Sequence, residues 1–124
     1  MLGLSLLLVA ACASPREKAY QDAVRDYNRS QAEVVAFTQA SLKQLVGATK
    51  GFRSKVGRWP ETYPEFESYV FTNNLPLDLT AFNDITFASL SDGNLLIHYD
   101  VNCSRFSTKQ YQFVQAGTIT LKAR

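Results

Sequence analysis

From Tyr20 onward, apolar and small side chains recur at steps of three and four: Tyr20, Val24, Tyr27, Gln31, Val34, Thr38, Leu42, Leu45, Thr49, Phe52 and Val56. That spacing keeps them on one face of an α-helix, and a continuous helix through them runs ~55 Å at 1.5 Å per residue. The stripe is uneven. Gln31 and Thr38 interrupt its middle, whereas Leu42, Leu45, Phe52 and Val56 make its last third the most apolar part. The pattern therefore predicts a helix whose C-terminal half docks on a core and whose N-terminal half is a partly exposed stalk. Gly47 and Gly51, each costing ~1 kcal/mol relative to alanine in a helix interior, mark a place for a break or kink. Gly57, followed by Trp59-Pro60, marks the stop.

Thr62-Tyr63-Pro64-Glu65 has the form of a capping box, so a short helix is expected from Tyr63 to about Phe71. Asn73, Asn74 and Pro76 then announce a loop through about Asn83. Beyond it lie four strand-like runs, Ile85–Leu90, Leu95–Val101, Lys109–Gln115 and Thr118–Lys122, separated at Ser91-Asp92-Gly93 and at Gln115-Ala116-Gly117. A three-residue loop with a left-handed glycine gives each hairpin a coherent apolar face. In that register Ile85 and Phe87 share a face with Leu95, Ile97, Tyr99 and Val101, and Tyr111 and Phe113 share one with Ile119 and Leu121. The expected fold is α+β: a long N-terminal helix packed on a four-stranded antiparallel meander, with the short helix at its side.

The chain has 124 residues, 46% hydrophobic and 19% charged, the balance of one folded domain. Ahead of the helix, Met1 to Ala11 is an uncharged, largely apolar run, about half the ~20 residues a membrane-crossing helix requires. It suits the apolar core of a signal peptide. The alternative is a core helix or a misassigned start, with Cys12 a plain thiol. Val9-Ala10-Ala11-Cys12 resembles the lipobox of bacterial lipoproteins, an aliphatic residue and two small ones before an obligatory cysteine. The resemblance implies cleavage between Ala11 and Cys12, a diacylglycerol on the Cys12 sulfur, and often a further acyl chain such as palmitate on its amine. Two or three chains anchor durably, at ~0.8 kcal/mol per buried CH₂. Ala13 lacks the aspartate that commonly retains such proteins in the inner membrane, which by resemblance favours an outer membrane, facing the periplasm. The resulting organisation is a signal peptide at 1–11, a lipid anchor and helical stalk at 12–41, and a globular domain at 42–124.

A long helix ending at Gly57-Arg58-Trp59-Pro60 before a meandering sheet is also similar to the globular head of type IV pilins and secretion pseudopilins. There, an apolar segment of about twenty residues carries an early glutamate and polymerises the filament; here the segment after Cys12 is charged. The resemblance implies a component of a secretion or pilus system as the alternative to an envelope lipoprotein.

The formal net charge of +2 is too small to suggest a nucleic-acid protein. Five basic side chains nevertheless fall between Lys43 and Arg58 without an acid among them. The helix dipole accounts for cations there, and the sharper reading is contact with anionic head groups or an acidic partner. Lys43, Lys50, Arg53 and Trp59 are therefore the candidate interaction surface. Trp59 with Tyr63 and Phe66 forms either a recognition patch or the plug of a small core. Cys103 has no partner in the chain if Cys12 is acylated; it is a buried inert thiol or it pairs with another molecule. His98, the one histidine, is expected on the outer sheet face beside Asp100 and near Thr86. No second histidine or ordered acidic cluster supports a metal, and no glycine loop supports a nucleotide. Glu61, Glu65 and Glu67 surround a helix start, where negative charge is favourable anyway. The sequence therefore reads as non-enzymatic and without a cofactor: a membrane-anchored envelope lipoprotein that meets another envelope protein.

Overall fold

The structure, a computed structural model, describes residues 14–123. Helix α1 spans Pro15–Val56, 42 residues without interruption, or about 63 Å. It begins earlier than the apolar stripe because Ser14 caps it, accepting a hydrogen bond from the Glu17 amide at 3.1 Å, with Pro15 in the first turn. It ends where expected: Gly57 takes φ 91° and its amide donates to the Arg53 carbonyl at 2.8 Å. Neither internal glycine breaks it. At Gly51 an added Cβ would stand 3.0 Å from the Tyr69 Oη, so the missing side chain lets the second helix approach, and Tyr69 meets Phe52 edge-on with ring centroids 5.2 Å apart. Gly47 faces open space, and nothing in the structure explains it.

Helix α2 spans Tyr63–Thr72, with Thr62 accepting from the Glu65 amide as the capping pattern predicts. The reciprocal bond differs by one residue, since Glu65 accepts from the amide of Glu61. Strand β1 spans Phe82–Ser89, β2 Leu95–Val101 and β3 Gln115–Leu121, forming one antiparallel sheet in that order. The β1–β2 hairpin has the expected register. Leu90 donates to the Asn94 carbonyl around Ser91-Asp92-Gly93, and Gly93 lies at φ 84°. Ile85 pairs with Tyr99 and Phe87 with Ile97. β1 starts earlier than predicted, at Phe82, with an irregularity in the pairing at Asn83.

The second hairpin is a correction. Among the described residues there are three strands, not four. Lys109–Gln115 does not form a strand, and Gln115-Ala116-Gly117 is not a turn but the beginning of β3. Thr108 holds its own tight turn, its hydroxyl accepting from the Gln110 and Tyr111 amides. The rings of Tyr111 and Phe113 pack on Tyr27 of α1, at 4.9 and 5.7 Å, instead of sharing a sheet face with Ile119 and Leu121. Gly117 suits a strand because it pairs with Tyr99, whose ring fills the space a Cβ would need: the Oη lies 2.7 Å from that position.

The core forms where Val34, Leu45 and Ala48 of α1 meet Ile85, Leu95, Ile97, Val101 and Leu121 of the sheet, closed at one side by Phe66 and Val70 of α2. Phe66 also packs on Phe87 at 5.1 Å. Burial of each large apolar side chain stabilises the fold by ~1.5–3 kcal/mol. On α1 the buried line is Val34, Thr38, Ser41, Leu45, Ala48, Thr49 and Phe52. Gln31 is exposed and Leu42 only half-buried. The segment Pro15–Gln21 is exposed throughout, but Ala19, Asp22 and Ala23 already share a cleft with Thr108–Tyr111 of the β2–β3 connection, and at Tyr27 the helix packs on it.

Candidate functional site

The five clustered cations, four on α1 and Arg58 just beyond it, do not act together. Arg58 turns to the start of α2 and pairs with Glu65, with Glu61 at 4.0 Å. This pairing, with the amide of Glu61 donating as well, holds the Glu65 carboxyl down at about 2. Lys55 donates to the Asn73 side chain at 2.5 Å. Lys50 and Arg53 point elsewhere, into an open groove of about 670 Å³ that Ser54, Trp59, Thr120, Leu121 and Lys122 complete. Lys43 is exposed but lies outside this groove, two helical turns and about 10 Å below Lys50.

Several contacts fix the groove's inner wall. Trp59 is buried, and its indole N–H donates to the Gly93 carbonyl of the β1–β2 turn at 2.8 Å. The Arg53 guanidinium lies 4.5 Å over the Trp59 ring and donates to the Ala123 carbonyl at 2.8 Å. Ala123 in turn donates to the Asn94 side chain at 2.9 Å. The end of α1, the β1–β2 turn and the end of β3 are thereby tied into one corner. Among the described residues, Lys50, Arg53 and Lys122 have no carboxylate within 4.0 Å. The arrangement suits an anionic, partly apolar ligand: point charges at the rim and an aromatic floor held by its own hydrogen bond.

The structure brings together three of the four residues named as a surface, Lys50, Arg53 and Trp59, and leaves Lys43 apart. Trp59 and Phe66 are both buried, whereas Tyr63 is half-buried, so the aromatics near the end of α1 belong chiefly to the core. Thr120, Leu121 and Lys122 were not foreseen. They lie about seventy residues from Arg53 in the chain, and only the topology places them beside it.

His98 is exposed on the outer sheet face, opposite Thr86 on one strand and Thr118 on the other. Asp100 shares that face but pairs with Asp84 and Ala116. Cys103 is buried at 3% exposure, and burial pushes its thiol up, partly offset by the neighbouring Thr38 hydroxyl. Among the described residues no group of three His, Cys, Asp or Glu side chains is placed to hold a metal, and no helix is long and apolar enough to cross a membrane. Ala11 and Cys12, with the whole leader, lie outside the described residues. No protein-family model matches the chain, and neither curated proteins nor solved structures show significant similarity to it.

Proposed function

We propose that the protein is a non-enzymatic envelope lipoprotein, anchored through Cys12, that holds its α+β head away from the membrane for another envelope protein to bind. The reading is carried by one observation: α1 runs unbroken from Pro15 to Val56, its first turns exposed and its later turns built into the head. A short apolar leader ending at Cys12 sits directly before that helix. In cells fed labelled palmitate, the wild-type protein takes up label and Cys12→Ser does not. Equal labelling of the two would end the anchor proposal.

A second reading, a pilin-like component of a secretion or pilus system, is favoured by the passage from α1 through the Gly57 cap and the buried Trp59-Pro60 pair into an antiparallel sheet. Against filament assembly stands the charged start of α1, with Arg16, Glu17, Lys18, Asp22, Arg25 and Asp26. Crosslinking in cells separates the two. Recovery of neighbouring copies of the chain in a regular array supports the pilin reading, and recovery with a different envelope protein supports the first.

A further inference from the structure

We infer that the groove between α1 and β3 binds an acidic, extended segment of another polypeptide, which adds to the sheet along the free edge of β3. This deepens the interaction-module reading but is independent of the anchor, so a failed palmitate experiment leaves it standing.

Two observations meet at the groove. The first is charge. Lys50, Arg53 and Lys122 converge on it with no carboxylate within 4.0 Å among the described residues, while Lys55 is held by the Asn73 side chain and Arg58, just past the helix cap, is neutralised by Glu65. A carboxylate-bearing partner would supply what the described residues do not.

The second is main chain. β3 has β2 on one side and, among the described residues, no strand on the other. Thr120 and Leu121 are consecutive in β3 and so face opposite sides of the strand, yet both line the groove, with Lys122 just past the strand's end. The groove therefore follows the strand's edge and not one of its faces. Unpaired edge amides and carbonyls are matched by another polypeptide's backbone, which a lipid head group cannot supply. An acidic strand would satisfy both features at once, its backbone on β3 and its alternate side chains reaching Lys50, Arg53 and Lys122.

Trp59 is the only tryptophan and forms the groove's floor, so its emission reports occupancy directly. The full-length chain is titrated with an eight-residue peptide of alternating valine and glutamate. Parallel titrations use the same peptide with lysine for glutamate, the glutamate peptide with alternate amides N-methylated, and phosphatidylglycerol vesicles. The glutamate peptide should shift Trp59 emission saturably and bind more weakly as salt rises from about 0.05 to 0.5 M. A Lys50→Glu/Lys122→Glu variant with unchanged melting temperature should bind it at least tenfold more weakly. The lysine and N-methylated peptides should also lose at least tenfold. The proposal is overturned if the glutamate peptide gives no response, if charge reversal leaves its affinity unchanged, or if the N-methylated peptide binds as well as its parent. It is equally overturned if only the vesicles respond.

Discussion

At Gly117 the residue's missing side chain decides the local structure. Tyr99 sits across from it, and its ring occupies the volume of the absent Cβ. Gly117→Val forces that ring off the sheet face and crowds the middle of β3, which should cost ~1–3 kcal/mol, the range for overpacking a tight site. Chemical denaturation checks this, and Gly117→Val in a Tyr99→Ala background should cost less than in the wild type, because the clash has gone. From the sequence alone Gly117 reads as a turn residue, since glycine marks both turns and close approaches in strands. Only the cross-strand tyrosine separates the two cases. Cys103 was easier to anticipate in kind. Of the two roles open to it, burial against Thr38 of α1 leaves no exposed sulfur for a partner molecule.

At the level of elements, the start of α2 shows how one carboxylate can serve several ends. Glu65 accepts from the Arg58 guanidinium and from the Glu61 amide while its own amide is capped by Thr62. Its hydrogen bond to Arg58, first, and then that to the Glu61 amide lower its pKa from an ordinary 4.5 to about 2. A carboxylate depressed in the folded state contributes stability that is complete above 4.5 and is lost as pH falls towards 2. The melting temperature of the wild type should therefore fall more steeply over that interval than that of Glu65→Gln. Parallel acid limbs would show that the pairing adds nothing in solution. Because this carboxylate is still partly open to solvent, the difference should shrink in high salt.

Both helices and the first hairpin were legible because each rests on local signals: period, caps and a loop glycine. The stretch Lys109–Gln115 misled for a physical reason. Its alternation of apolar and polar residues is real, but Tyr111 and Phe113 turn towards Tyr27 of α1 and not towards a neighbouring strand. Alternation reports that one side is covered without saying by what. The groove was half legible for the same reason. Lys50, Arg53 and Trp59 stand out as a basic run ending in an aromatic, whereas Lys122 gains meaning only once β3 lies beside α1.

Considered whole, the molecule is a helix about 63 Å long with a head built around its upper part. If Pro15–Gln21 serves as a spacer and not as packing, its length should be free to vary. Inserting a second copy of Arg16–Asp22 after Asp22 adds seven residues and about 10 Å while nearly preserving the helix's rotational phase. The melting temperature should stay within about 1 °C of wild type, since the inserted copy again sets an alanine and an aspartate beside Thr108–Tyr111; a drop of several degrees would show that the turn below Arg16 carries tertiary contacts. Differential scanning calorimetry decides between them.

That α1 runs uninterrupted through Gly47 and Gly51 has a mechanical consequence. A jointed rod would let its tip hold still while its base wandered, whereas one continuous coil of hydrogen bonds behaves as a lever. Tilting its lower end by about 10° swings the Gly57 end sideways by roughly 11 Å, which follows from the rise per residue alone. Whatever grips the lower turns therefore also aims the upper ones.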